Sequence, residues 1–249
     1  MKTIILTLLA PLLVLAVFAS TAIASTAEVV LDRANINLKD EASLQRGARN
    51  FVNYCLNCHN AQFMRYGHLT QIGLTEDQIK SSLMFTSDKI ADSMVSALDP
   101  KDAKEWFGGV PPDLTLAVRV RGEDWLYTFL RSFYQDPNSP TGWNNEVFKN
   151  VGMPLVLHDL QGTQAMAKVG EKQSHGKMEP VMKLQVERKG TMSAQEYDLF
   201  VRDLVNYMAF MAEPARAKRT QLGVMIMFFL VIAFFMALWL KHEYWKDVR

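Results

Sequence analysis

The sequence predicts an all-α fold, in which a helical domain with long loops is followed by one transmembrane helix. Apolar residues recur with the 3.6-residue helical period, and no sustained alternation of apolar and polar residues indicates a large sheet. Residues 220–240 carry no charge, and a run of this length can cross the roughly 30 Å hydrocarbon core of a membrane. We therefore expect one membrane-anchored domain.

Residues 1–24 have the pattern of a secretory signal peptide. Lys2 precedes an apolar run over residues 4–18, and Ala22-Ile23-Ala24 fits the small-residue site at which such peptides are cleaved. A retained N-terminal anchor is the alternative, although Pro11 interrupts the run. Cleavage would leave about 190 residues, from residue 25 to residue 219, which is enough for one domain with its own core.

Four helices are predicted between these segments. Asp40 caps the first, Thr75 and Ser193 open two more as capping boxes, and Glu123 and Asp124 begin the other. The residues expected to face inward are Leu44, Ala48, Phe51, Val52, Cys55, Ile79, Leu83, Leu126, Phe129, Leu130, Phe133, Tyr197, Phe200, Val201, Leu204, Val205 and Met208. The predicted long loops are 108–112, 136–143 and 162–177.

The pentapeptide Cys55-Leu56-Asn57-Cys58-His59 contains both cysteines of the chain. Such a C-x-x-C-H pattern attaches a c-type haem, because each thiol can form a thioether with one vinyl group. The imidazole of His59 then coordinates the iron as the proximal ligand. A zinc site would need further soft ligands, and a thioredoxin-like dithiol is expected near a βαβ pattern rather than in helical surroundings. One covalently bound haem c is therefore the predicted cofactor.

The sixth position of the iron is not decided by composition, since the chain has 14 methionines and five histidines. Met153 is a candidate, because Gly152 and Pro154 flank it in a short constrained loop, whereas many other methionines lie on predicted helices. Other donors stay open on these grounds. An open sixth site, as in an enzyme or a gas-binding sensor, is a further alternative.

The charges of the chain are distributed unevenly. Residues 25–214 hold 20 Lys and Arg against 24 Asp and Glu. A mildly acidic domain suits a basic mobile partner and gives no support for nucleic-acid binding. The alternative is that these charges only keep the domain soluble.

The C-terminal run, residues 220–240, is predicted to span the membrane, and Trp239, Tyr244 and Trp245 suit the headgroup region at its far end. A buried core helix would normally show a polar face. Basic residues do not decide the orientation, since three stand on each side: Arg216, Lys218, Arg219, Lys241, Lys246 and Arg249. Export and haem attachment instead predict residues 25–219 in the periplasm and a cytoplasmic tail over residues 241–249.

Six short segments occur in one order along nearly the whole mature chain: NYCLNCH (53–59), MRYGHL (64–69), PPDL (111–114), RVRGED (119–124), VGMP (151–154) and AEP (212–214). Together they resemble the cytochrome c1 family of bacterial type, the haem subunits of quinol:cytochrome c oxidoreductases, also called cytochrome bc complexes. The pentapeptide alone is shared by many cytochromes, but the combination is much more specific. The fold implied is a cytochrome c-like haem domain with long loops.

The resemblance also implies roles for individual residues. Met153 is implied to be the distal axial ligand, and Arg121 to contact a haem propionate. A surface arginine that caps the acidic helix start at Glu123 is the alternative for Arg121. Pro111 and Pro112 are implied to line the proximal side, where one of their carbonyls accepts the ring N–H of His59.

Other features depart from the family or carry no role. With no cysteine beyond the haem motif, the disulfide that some members carry cannot form. We interpret His68 as structural, with iron ligation as its alternative. We assign no role to His158 or His175.

The function implied is outer-sphere electron transfer. The haem accepts one electron from a Rieske iron-sulfur protein and passes it to a cytochrome c, so the chain has no substrate chemistry of its own. Cytochrome b is the implied neighbour of the anchor, in a dimeric complex of the bacterial cytoplasmic membrane. An anchored monohaem cytochrome subunit of another respiratory complex, such as a terminal oxidase, is the alternative.

Overall fold

The computed structural model describes residues 29–174 and 177–247. The signal peptide predicted for residues 1–24 lies outside this part, as do His175 and the last two residues of the predicted tail. The elements described here belong to one unit that begins at Leu31.

The fold is mostly helical, as predicted. In chain order the elements are α1 (Glu41–Tyr54), β1 (Ala61–Arg65), a 3₁₀ helix (Tyr66–Ile72), α2 (Glu76–Ser82), β2 (Ser93–Met94), α3 (Pro100–Phe107), α4 (Ala117–Arg121), α5 (Glu123–Arg131), β3 (Phe133–Gln135), β4 (Trp143–Asn145), α6 (His158–Gln161), β5 (Gly162–Ser174), β6 (Lys177–Lys189), α7 (Ala194–Ala212) and α8 (Arg216–Tyr244). The strands pair antiparallel in three two-stranded sheets, β1–β2, β3–β4 and β5–β6.

The four predicted helices are confirmed as α1, α2, α5 and α7. Asp40 accepts a hydrogen bond from the N–H of Ser43, and the capping boxes at Thr75 and Ser193 are both complete. Glu123 and Asp124 occupy the first turn of α5, where acidic side chains favour the positive end of the helix dipole. The residues predicted to face inward are all buried except Cys55, which is half-buried.

The centre of the core is the crossing of α1 with α7. Gly47 faces the backbone of Asp203 on α7, and the ring of Phe51 lies 5.6 Å from the ring of Tyr207. The buried carboxylate of Asp203 accepts hydrogen bonds from Ser43 Oγ and Arg46 Nε, each at 2.6 Å. A buried carboxylate with several partners is stabilised only when the two helices stay in register. The crossing therefore holds the end of α1, and with it the haem motif, at a defined place.

The prediction of a loop over residues 162–177 is wrong, because this stretch contributes to the long hairpin of β5 and β6. Register shifts between Thr163 and Gln164 and between Lys168 and Gly170 interrupt the two-residue period, so no alternation shows in the sequence. At the base of the hairpin, Gln164 Nε2 donates to the carbonyls of Arg131 at 2.9 Å and Phe133 at 3.1 Å.

The predicted transmembrane segment forms part of α8. Within the described residues, the stretch Leu222–Tyr244 is the one helical stretch long and apolar enough to cross a membrane, and its 23 residues extend a little beyond the predicted limit of residue 240. Its large apolar side chains, such as Phe228 and Phe235, are exposed. An apolar surface of this extent favours lipid as its surroundings.

Candidate haem site

The haem motif is a compact turn at the end of α1. The N–H groups of Cys55 and Leu56 both donate to the carbonyl of Phe51, at 2.8 and 3.0 Å. The chain then turns back, and the N–H groups of Cys58 and His59 donate to the carbonyl of Cys55 at 3.1 and 2.9 Å. Leu56 is buried as the apolar anchor of this turn. Two thiols and one imidazole are therefore presented together from five residues.

The imidazole of His59 is oriented by the backbone of the proline pair. Nδ1 lies 2.7 Å from the carbonyl oxygen of Pro112. Because a carbonyl can only accept, Nδ1 carries the proton and Nε2 keeps its lone pair, which is the form that coordinates a metal. Burial lowers the pKa of His59, although the Pro112 carbonyl and the charge of Asp113 act in the opposite direction. The neutral imidazole is thus the favoured form.

The segment around the prolines is joined to the haem motif by further hydrogen bonds. Leu114 donates its N–H to the carbonyl of Asn60 at 2.8 Å, and Asp113 accepts from the N–H groups of Gln62 and Thr115 at 2.8 and 2.9 Å. Sequence reasoning missed Asp113 as a positioning residue, although it stands within the PPDL motif. Its carboxylate holds the proline carbonyl against His59.

The thiol chemistry of Cys55 does not suit a redox dithiol. Burial, with a smaller effect of Cys58, raises the pKa of the Cys55 thiol to about 12. Reactive dithiols instead have lowered thiol pKa values, since the thiolate is the nucleophile. This contrast disfavours the dithiol alternative.

Arg121 ends α4 and is exposed. Its guanidinium carbon lies 5.1 Å from the ring centroid of Trp125 and 5.6 Å from that of Phe148. In the described part of the chain Arg121 has no ion pair, and Glu123 pairs with Arg216 instead. The contacts therefore differ from the capping alternative, and the guanidinium N–H groups remain available to an anion such as a propionate.

Met153 lies in a short loop after β4 and is half-buried against the core. Val151 and Leu155, two residues away on either side, are buried and fix the ends of this loop. Phe148, which contacts Arg121, precedes Met153 by five residues. Arg121 therefore contacts the stretch of chain that leads into the Met153 loop.

Asn145 holds the turn that carries Phe148 and leads to the Met153 loop. Sequence reasoning missed this residue. Its side chain is fully buried, its Nδ2 donates to the carbonyl of Phe129 at 2.8 Å, and its Oδ1 accepts from the N–H groups of Val147 at 2.9 Å and Phe148 at 3.1 Å. One amide thus replaces the hydrogen bonds that a regular element would supply. The only signal in the sequence is an asparagine pair directly after Trp143.

We expect Asn145→Leu to convert part of the haem to a low-potential form. Leucine leaves two N–H groups and one carbonyl unpaired, at a cost of about 1–3 kcal/mol each, so the turn and the Met153 loop should loosen. Potentiometric titration should show a second, lower wave. Asn138→Ala, in the exposed turn between β3 and β4, is the matched control and should leave one wave. A single unshifted wave in Asn145→Leu would contradict the positioning role.

The structure also places two histidines of the haem domain that lie outside the haem motif. His68 sits in the 3₁₀ helix, and His158 Nδ1 lies 3.1 Å from the carbonyl oxygen of Leu155.

The donor set of the motif fits a c-type haem. A neutral imidazole with Nε2 free and two adjacent thiols match its attachment chemistry. The segments bonded to the motif also leave apolar side chains exposed, namely Val95, Val110 and Leu116. A macrocycle would cover such surface.

A family model described as the Cytochrome C1 family matches residues 34–248. The chain belongs to the cytochrome c1 family. A cytochrome c1 of Allochromatium vinosum is 45% identical over 221 residues, covering 88% of this chain and 90% of that protein. A cytochrome c1 of Rhodospirillum rubrum is 28% identical over 233 residues, covering 84% and 83%. The ammonia monooxygenase gamma subunit of Nitrosomonas europaea is 47% identical over 223 residues, covering 89% and 90%.

Membership in the cytochrome c1 family settles the general character of the protein. It is an electron-transport protein with one covalently bound haem c, and α8 is a single-pass membrane anchor. The alternative of a terminal oxidase subunit is not favoured, since the relatives that match along the chain include cytochromes c1 from several organisms.

Proposed function

We propose that this chain is the haem subunit of a bacterial quinol:cytochrome c oxidoreductase, where it passes single electrons from a Rieske iron-sulfur protein to a cytochrome c. The observation that carries the proposal is the haem motif with His59 oriented by the Pro112 carbonyl, in a chain of the cytochrome c1 family. Bound haem c supplies a one-electron iron couple, so no bond is made or broken in a substrate.

Each site residue has a role in this function. Cys55 and Cys58 hold the haem by thioethers, and His59 coordinates the iron through Nε2 while the Pro112 carbonyl accepts its Nδ1–H and raises the ligand's basicity. Met153 is the distal ligand, whose thioether favours ferrous iron and raises the reduction potential. Arg121 pairs with a propionate.

Cytochrome b, the Rieske protein and a cytochrome c are the proposed partners, and the complex is proposed to be dimeric. Family membership and the exposed apolar surface of α8 support this assignment. The acidic balance of residues 25–214, with 24 Asp and Glu against 20 Lys and Arg, supports a basic acceptor.

The proposed arrangement in the bacterial cytoplasmic membrane is a cleaved signal peptide (1–24), a periplasmic haem domain (25–219), a span (220–240) and a cytoplasmic tail (241–249). Haem attachment after export supports this orientation, since the predicted signal peptide supplies the route.

The name of the Nitrosomonas europaea relative favours one second candidate, a subunit of an ammonia-oxidising enzyme. In that case ammonia and dioxygen together should oxidise the reduced haem, because a monooxygenase consumes electrons to reduce one oxygen atom to water. The proline, arginine and methionine motifs together favour the quinol reaction.

Vesicles of both orientations test the function and the orientation together. We expect right-side-out membrane vesicles to reduce added soluble cytochrome c when supplied with quinol, and inside-out vesicles to reduce it only after permeabilisation. The reduced haem should not bind carbon monoxide, because both axial positions are filled. Activity confined to intact inside-out vesicles would show that the haem domain lies on the cytoplasmic side of the membrane. Oxidation of the reduced haem that requires both ammonia and dioxygen would favour the second candidate, and rapid carbon monoxide binding would favour a sensor or enzyme.

A further inference from the structure

Two of the short segments meet beside the membrane anchor, namely the RVRGED segment, in which Arg121 is the proposed propionate contact, and the AEP segment. Arg119, in the RVRGED segment, has Nη1 3.5 Å from Oε2 of Glu213, in the AEP segment. Glu123 of the first segment pairs with Arg216, in the first turn of α8. Glu213 also pairs with Arg219, one turn further along α8. We call these five residues the anchor clamp.

The chain has little freedom at this point. Only residues 213–215 separate the end of α7 from the start of α8. The N–H of Glu213 is shared between the carbonyls of Ala209 at 3.2 Å and Phe210 at 3.1 Å, and Pro214 cannot donate to continue the helix. Because α7 is buried in the core, α8 starts from a fixed place. Its direction then depends on lateral contacts.

The anchor clamp supplies such contacts. The side chains of Glu213 and Glu123 are only 24% and 26% exposed, so they are partly removed from water. Isolated exposed pairs contribute little to stability, but here Glu213 pairs with two guanidinium groups and Glu123 with a third, so three ion pairs act on one short stretch of chain. Leu222, where the candidate span begins, lies about 9 Å along the helix from Arg216 at 1.5 Å per residue. The low dielectric of the nearby membrane strengthens such pairs.

The clamp also reaches the candidate haem site. Arg121 lies between Arg119 and Glu123, at the junction of α4 and α5. Gly122 makes this junction with a positive φ of 93°, a conformation that favours glycine. In the same short bend, Arg121 is therefore the proposed propionate contact, while Arg119 and Glu123 make the contacts to the anchor.

We propose that Glu123 and Glu213 are positioning residues that clamp the start of α8 to the α4–α5 bend and so set the orientation of the haem relative to the membrane plane. This goes beyond the electron-transfer function, since it concerns how the haem domain is held rather than how its iron is ligated. Loss of the clamp leaves the haem bound and its ligands in place, but allows the domain to tilt on its anchor.

Linear dichroism of the haem in oriented membranes tests this on the full-length, haem-loaded protein. Glu123→Gln and Arg216→Gln should each lose most of the haem dichroism, whereas covalent haem content and reduction potential should stay unchanged. The charge swap Glu123→Arg with Arg216→Glu should restore it. Glu243→Gln, which removes an exposed pair with Lys246 at the other end of α8, is the control and should keep full dichroism.

Three outcomes overturn the proposal: unchanged dichroism in both single variants, a swap that restores nothing, or an equal loss in Glu243→Gln. Because the measurement needs only bound haem, it remains informative if quinol does not reduce the protein. Failure of the electron-transfer function and failure of the clamp are therefore separate results.

Discussion

Replacing Met153 with leucine should lower the reduction potential of the haem by on the order of 100 mV or more. Leucine has a similar size and apolar character, so the loop should keep its packing at a cost below about 1.5 kcal/mol. It has no sulfur to stabilise the ferrous state. Since attachment depends on Cys55 and Cys58, the haem should stay covalently bound. Optical redox titration gives the potential, and a haem stain of denatured protein gives the attachment.

The same substitution at an exposed methionine shows whether the loss of potential is specific to the proposed iron ligand. Met178 is 62% exposed on β6, so Met178→Leu should leave the potential unchanged. We also expect Met153→Leu to lose quinol-dependent reduction of cytochrome c and to bind carbon monoxide when reduced. A potential equal to that of the unmodified protein would rule out Met153 as the axial ligand.

Gly47→Ala should destabilise the haem domain by about 3 kcal/mol, at the upper end of the usual cost of overpacking. An added Cβ would overlap the carbonyl of Asp203 and would lie 2.6 Å from Cβ of Tyr207. Backbone atoms of α7 cannot yield as a flexible side chain can, so α1 and α7 must separate. That movement also stretches the hydrogen bonds of Ser43 and Arg46 to Asp203.

The midpoint of urea denaturation, followed by tryptophan fluorescence of the solubilised protein, measures this loss. The yield of haem-bearing protein in membranes should fall with it, because the crossing holds the end of α1. Gly170→Ala is the control: no heavy atom lies within 4 Å of the added Cβ, and its φ is not positive. Equal midpoints for the two variants would show that the α1–α7 contact tolerates a methyl group.

The features that the sequence predicts well are local ones. The starts of α1, α2 and α7 follow from a capping side chain and its partner three residues away, and burial follows the 3.6-residue period. The haem motif is five consecutive residues whose chemistry is specific. Each of these signals depends only on residues within one or two helical turns of one another, so it can be recognised without knowing the tertiary structure.

The features that the sequence does not reveal depend on contacts between distant residues. Asn145 matters because its amide meets a carbonyl 16 residues away, and Glu123 pairs with Arg216 across 93 residues. No periodicity marks such partners. The hairpin was missed for another reason, since its register shifts, and the exposure of consecutive residues over 168–171, remove the alternation that normally reveals strands.

The β5–β6 hairpin has a practical consequence, because Gln164 secures it at its root. In the outer part of this ribbon, the described residues Val169, Met178 and Met182 are exposed. Lengthening or trimming that ribbon, or grafting an affinity tag into it, should leave the redox centre undisturbed. Diversity among natural homologues is therefore expected to concentrate there.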